Sequence, residues 1–117
     1  INGDGEQSRD FTFVENAVQA NVRAMFSDVA GATGKVYNIA FGERTTINEL
    51  YFNLKDLVGS EINPTYRDPR KGDVKDSLAD ISKAKAFLGY NPGVNIRTGL
   101  DVTLNWFKEH YGKTVTQ

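Results

Sequence analysis

The sequence predicts an α/β chain that is mostly helical, with short strands too few to close a sheet. Three observations carry this. Apolar residues recur at helical spacing in several separate stretches. Strand candidates are confined to one alternating stretch and one short apolar run. Glycine or proline punctuates the chain between these stretches. Strand and helix candidates alternate in order, which is the α/β pattern, but the strands amount to an incomplete sheet.

Ile1-Asn2-Gly3-Asp4-Gly5 reads as the end of a strand entering a turn, and its glycines can supply the positive φ a tight turn needs. A chain that opens on Ile in mid-element is expected to be a piece of a longer protein. From Ser8 to Val14 polar and apolar residues alternate, so an extended backbone would put Arg9, Phe11 and Phe13 on one face. A helix is expected from about Val14 to Asp28, with Val14, Val18, Val22 and Met25 in one stripe, ended by Gly31-Ala32-Thr33-Gly34. Val36–Ala40 is the short buried-strand candidate, broken by Gly42. Thr46-Ile47-Asn48-Glu49 fits a capping box, and the helix it starts should turn Leu50, Leu54 and Leu57 inward and stop at Gly59. Asn63 to Pro69 is expected to be extended, and Arg70-Lys71-Gly72-Asp73 a polar loop. Asp80 should cap a short helix that ends at Gly89. A last helix, about Arg97 to Tyr111, aligns Leu100, Leu104, Phe107 and Tyr111.

Composition narrows the function classes. The chain has 117 residues, 39% hydrophobic and 11% aromatic, enough for a core and against disorder. Lys and Arg total 14 against 15 Asp and Glu, a net charge of −1, so nothing favours nucleic acid or an anionic membrane as partner. An anion would have to be held by a few locally placed cations. There is no cysteine, which removes disulfides, thiolate zinc sites and cysteine nucleophiles and fits a reducing, cytoplasmic setting. No apolar run approaches the ~20 residues of a membrane span, and no signal-peptide pattern is present.

Two arginines stand out on chemical grounds. Arg9 follows a glycine turn and opens an aromatic run, and a planar guanidinium against an apolar face suits a phosphate. Its ordinary alternative is a salt bridge to Asp10, Asp4 or Glu6. Arg70 sits in Asp68-Pro69-Arg70-Lys71-Gly72-Asp73, where Pro69 stiffens the approach and Gly72 lets backbone come close to a ligand. Asp73, three residues on, could accept hydrogen bonds from a diol such as a ribose. The ordinary alternative is a solvated charged turn.

Other features have plainer explanations. Tyr51 and Lys55 match the Tyr-x-x-x-Lys spacing of short-chain dehydrogenases, but no strand and glycine loop precede them, so they read as an amphipathic helix. Gly31-Ala32-Thr33-Gly34 has its helix before and its strand after, the reverse of a dinucleotide fingerprint, and reads as a helix end. His110, the single histidine, has no evident partner, and Trp106 reads as core.

Several blocks, in order, carry a resemblance. These are Gly3-Asp4-Gly5-Glu6-Gln7-Ser8-Arg9-Asp10-Phe11 with Val14-Glu15-Asn16, and Tyr37-Asn38-Ile39-Ala40 with Gly42 and Thr46-Ile47-Asn48-Glu49-Leu50. They continue with Arg70-Lys71-Gly72-Asp73-Val74 and Ser77 to Ala84, then Leu88-Gly89-Tyr90-Asn91-Pro92 and Gly99-Leu100 through Trp106. The set, which spans nearly all of the chain, resembles the extended short-chain dehydrogenase/reductase family of nucleotide-sugar epimerases and dehydratases. Within it the chain is most similar to UDP-N-acetylglucosamine 4-epimerases. Two departures are visible: Lys71 replaces a proline common in its loop, and Asn16 replaces a frequent aspartate, as in the branch acting on N-acetylated hexosamines.

The resemblance implies that residues 1–117 are a carboxyl-terminal nucleotide-sugar-binding segment. Arg9 and Arg70 would grip the diphosphate, Asp73 the ribose, and Asn38 the nucleotide. No catalytic residue is expected in this stretch. The family's glycine-rich NAD loop and its catalytic Ser/Thr, Tyr and Lys lie upstream of the matched region, in a Rossmann domain that would be this segment's partner in the same chain. The parent would invert C4 of a UDP-sugar by NAD-dependent hydride removal and return through a 4-keto sugar, and the segment alone would be inactive. Family epimerases are often homodimers, through contacts not expected here. The family's other chemistries, 4,6-dehydration and decarboxylation, and a non-catalytic nucleotide-binding module are the alternatives.

Overall fold

A computed structural model describes residues 1–112. Its elements are β1 (Ser8–Arg9), α1 (Val14–Met25), β2 (Thr45–Thr46), α2 (Ile47–Val58), α3 (Ser82–Leu88) and α4 (Ile96–Tyr111). The strands form one antiparallel pair, Ser8 opposite Thr46 and Arg9 opposite Thr45. The helices pack as two pairs, α1 on α3 and α2 on α4.

The helix signals behave as local chemistry dictates. Thr46 accepts from the Glu49 N–H at 3.1 Å while the Glu49 carboxylate accepts from the Thr46 N–H at 2.7 Å, a complete capping box. Gly59 and Gly89 close α2 and α3 at φ 68° and 62°, left-handed backbone that a side chain disfavours. Asp80 sits one residue before the N-cap of α3, Ile81, and accepts from the Ser82 N–H at 2.9 Å; hydrogen bonding from the Ser82 side chain first, and from this N–H second, holds its carboxyl below the ordinary value. Asn95 caps α4 through the Thr98 N–H at 3.0 Å. Between α2 and α4, Arg97 reaches Asn53 at 3.2 Å and pairs with Asp56.

Tyr90 anchors the small core of Ala20, Ala40, Ile81, Ala84 and Leu88. Its hydroxyl is buried and donates to the Ala40 carbonyl at 2.8 Å. Burial, with the nearby Asp10 charge adding to it, pushes its pKa up from 10.0. Asp10 accepts from the N–H groups of Phe41 and Gly42 at 3.0 to 3.2 Å and so fixes segment 36–42 beside β1.

Four expectations are corrected, two of them about packing: Leu54 on α2 is 36% exposed and not turned inward, and Trp106 is 48% exposed and not core. Helix α1 stops at Met25, short of Asp28. Val36–Ala40 lies in place but forms no strand: a strand needs a neighbour to bond, and its backbone meets none among the described residues. Helix α1 also presents its valine stripe to solvent, a point on which its spacing was silent. Its buried face carries Asn16 and Ala20, whereas Val14 is 66% exposed and Met25 77%. An apolar stripe turned outward is a face without its cover. The molecule is correspondingly drawn out, 56 × 36 × 19 Å with a radius of gyration of 17.5 Å, where a compact chain of this length would have about 13 Å.

Candidate functional site

The site is built on two turns that β1 and its bridges bring together. The first, Gly3 to Gln7, uses Gly3 and Gly5 at φ 78° and 79° to leave the Asn2–Arg67 bridge and enter β1. The second, Arg70 to Asp73, closes with the Asp73 N–H donating to the Arg70 carbonyl at 3.2 Å, Gly72 taking φ 82°. The pairing of Ser8 with Asp76 sets the second turn beside the first, and the Ser8 hydroxyl donates to the Asp76 carboxylate at 2.7 Å.

Arg9 crosses from one turn to the other. Its Nη2 donates to Asp73 Oδ1 at 2.5 Å, and Nη1 donates to the carbonyls of Ser8 at 2.7 Å and Lys75 at 3.4 Å. Of the two explanations weighed for Arg9, the salt bridge is real, but its partner is none of the neighbouring carboxylates Asp4, Glu6 or Asp10. It is Asp73, itself a candidate. Arg70 makes no side-chain hydrogen bond or ion pair among the described residues and is exposed. With Asp73 it lines an open cavity of about 460 Å³, whose other walls include Gly3, Asp4, Gln7, Arg67 and Lys75. Guanidinium donors beside a carboxylate acceptor can hold a phosphate and an adjoining diol together. Neither Arg9 nor Asn38 is in that lining: Arg9 reaches the cavity only through Asp73, and the Asn38 side chain donates to the Asp80 carbonyl at 3.3 Å.

The remaining features are structural. The Tyr51 hydroxyl donates to the Ile62 carbonyl and Lys55 to Asn63 at 3.2 Å, so both hold segment 62–63 against α2. The His110 ring stacks on Trp106, centroids 4.3 Å apart. Gly31 and Gly34 make turns after α1 at φ 78° and 72°. Among the described residues, no group of three or more His, Asp or Glu is placed to hold a metal. No helix among the described residues is long and apolar enough to cross a membrane. Three residues were invisible to sequence reasoning as parts of the site's frame: Asp10, Asn48 and Asp76. Asp10 and Asn48 stood in the motif blocks without an assigned role, and Asp76 carried no signal beyond a short polar side chain.

Residues 1–103 match the family described as GDP-mannose 4,6 dehydratase. The chain belongs to that family. It is an extended short-chain dehydrogenase/reductase, as its ordered motifs implied, in a family whose members include nucleotide-sugar epimerases. Two solved structures are similar. UDP-glucose 4-epimerase of Thermotoga maritima, crystallised with UDP-glucose, is 41% identical with a TM-score of 0.85; the match covers 93% of this chain and 34% of that one. UDP-N-acetylglucosamine 4-epimerase of Methanobrevibacter ruminantium, in complex with UDP-N-acetylmuramic acid, is 40% identical with a TM-score of 0.82, over 93% and 34%. Among curated relatives, UDP-glucose 4-epimerase of Mycolicibacterium smegmatis is 35% identical over 92% of this chain and 34% of its own. The chain thus spans about a third of the length of these proteins.

Proposed function

We propose that residues 1–117 are the nucleotide-sugar-binding segment of an NAD-dependent UDP-sugar 4-epimerase, with UDP-N-acetylglucosamine and its C4 epimer as the preferred pair. Arg9 and Arg70 take the diphosphate and Asp73 the ribose. One observation carries this: Arg9 meets Asp73 at 2.5 Å, and Asp73 and Arg70 line the same cavity. The segment's task is to hold the nucleotide end still while the sugar turns, so that binding energy remote from the reacting carbon orients it.

The described residues do not fit NAD. Of their two paired-glycine turns, Gly3–Gly5 leads into β1 and Gly31–Gly34 follows α1, and neither opens a helix, so their N–H groups form no helix N-terminus to cradle a pyrophosphate. In this proposal the cofactor belongs to a Rossmann domain of the same chain, in the cytoplasm. That domain would cover the valine stripe of α1 and pair with segment 36–40. Supply of sugars for surface polysaccharides is the corresponding biological role.

The test is NMR of the full-length protein with UDP-N-acetylglucosamine. Appearance of the C4-epimeric sugar is the expected result. The family's own description is of a dehydratase, so a 4-keto-6-deoxy product would put dehydration in place of epimerisation.

A further inference from the structure

The cavity has two walls, and one side chain outside its lining is tied to both. The walls are the turn from Gly3 to Gln7 and the segment from Arg67 to Lys75. Backbone bonds lace them at each end. The Gly3 N–H donates to the Arg67 carbonyl at 2.8 Å, and the Ser8 N–H to the Lys75 carbonyl at 2.8 Å. Between these ties the segments part and the cavity opens.

Asn48, in the first turn of α2, stands behind the first wall. Its backbone N–H donates to the Gly5 carbonyl at 3.0 Å. Its Nδ2 donates to the Asp4 carbonyl at 3.0 Å and to the Glu6 carboxylate at 2.6 Å. Its Oδ1 accepts from the Tyr66 hydroxyl at 2.9 Å, and Tyr66 is the residue next to Arg67 where the second wall begins. The fit is close: a Cβ on Gly5 would lie 2.0 Å from Asn48 Oδ1. Both amide protons and the amide oxygen are thus used, and they reach both walls.

We propose that Asn48, with Tyr66 as its partner, is a positioning residue for the bound nucleotide: it sets the gap between the walls, and so the distance from the glycine turn to Arg70 and Asp73. This rests on the reading of the cavity given above. Without the amide the glycine turn is free to move relative to Tyr66 and Arg67, and a ligand spanning the gap must order it on binding. Asn48 itself touches no ligand.

The experiment is calorimetric titration of UDP into the full-length protein, below the melting temperature of every variant. Asn48→Ala is expected to raise the dissociation constant about tenfold, as for loss of a well-made polar tie. Tyr66→Phe should raise it by less, and the double variant should bind no worse than Asn48→Ala alone, because both changes break one connection. Should Asn48→Ala fail to fold, Tyr66→Phe decides, since it removes one oxygen from a side chain that is 47% exposed. Unchanged affinity in the Asn48 and Tyr66 variants, with Arg70→Ala weakened, overturns the positioning role and leaves the site standing. Unchanged affinity in all of them removes the site, and this role with it. A variant that melts earlier but binds UDP normally shows Asn48 to be structural only and overturns the proposal.

Discussion

Arg9 and Asp73 meet at 2.5 Å although 64 residues separate them. The pair joins β1 to the turn 70–73, and it divides the two candidate arginines into different kinds. Arg9 is held by three protein acceptors, with side-chain exposures of 29% for Arg9 and 35% for Asp73. Arg70 is exposed and has no side-chain partner among the described residues. One is pre-ordered by the protein; in the function proposed above, the other would be ordered by the ligand.

The two arginines should therefore fail differently. Arg70→Ala in the full-length protein should weaken UDP binding about 10- to 100-fold, the loss of a charge-assisted contact of about 1.5–3 kcal/mol, with no change in melting temperature. Arg9→Ala should weaken binding by a similar factor and also lower the melting temperature, because it leaves the Asp73 carboxylate without its donor, while the Ser8 and Lys75 carbonyls keep the N–H groups of Ser77 at 3.1 Å and Ser8 at 2.8 Å. Titration calorimetry and thermal melts on the same samples check both. Full affinity in both variants would refute the site.

Asn16 yields a second prediction. It is 2% exposed, donates to the Val94 carbonyl at 2.7 Å, and accepts from the Gly93 and Val94 N–H groups at 3.1 Å. Asn16→Ala should cost at least about 1–3 kcal/mol in denaturant unfolding, since it strands buried polar groups. Asn16→Asp keeps the two N–H contacts but sets a carboxylate oxygen against the Val94 carbonyl, so it too should be destabilising. Neither should change which sugar is turned over, because Asn16 faces the loop at Gly93 and Val94, away from the cavity lining. A switch in sugar preference would show that the departure from aspartate seen in the sequence does select substrate.

Tyr90 predicts alkaline behaviour. Its pKa is raised in the folded state, so the stability it contributes is complete below the unfolded value of 10.0 and is lost as pH rises through the folded value. Tyr90→Phe should cost about 0.5–1.5 kcal/mol at neutral pH, for the bond to Ala40, and should flatten the fall in stability above about pH 10. Denaturant titrations at pH 7 and pH 10.5 measure both effects. An unaltered alkaline slope would show that another group controls it.

How much of this was legible in the sequence follows the range of the forces. Thr46 with Glu49, Gly59 and Gly89 act within one helical turn of their own position, and each was readable. Arg9 and Asp73 were readable as chemical types and through the family resemblance, while their pairing was not. Asp10, Asn16 and Asn48 find partners 18 to 78 residues away, beyond any local pattern. Val36–Ala40 has the composition of a strand, but a strand is completed by its neighbour, and composition does not supply one. The valine stripe of α1 likewise gave the helix and its apolar face; which way the face points depends on what packs against it.

That outward stripe makes the last prediction. Val14, Val18, Val22 and Met25 lie at helical spacing, all exposed, next to Phe26 at 77%. Water is a poor environment for such a face, so residues 1–117 prepared alone should bury it against something, by self-association or by taking up a hydrophobic dye. Val18→Glu with Val22→Glu should reduce both, because a charge in an apolar contact must be desolvated to form it. The same pair in the full-length protein should do the opposite and lower the melting temperature, since there the stripe would meet the Rossmann domain. Light scattering on the segment and melts on the whole protein give the two readings. If the charges left the full-length melt unchanged, the stripe would be open in the intact protein as well, and the proposed Rossmann domain would have to dock elsewhere.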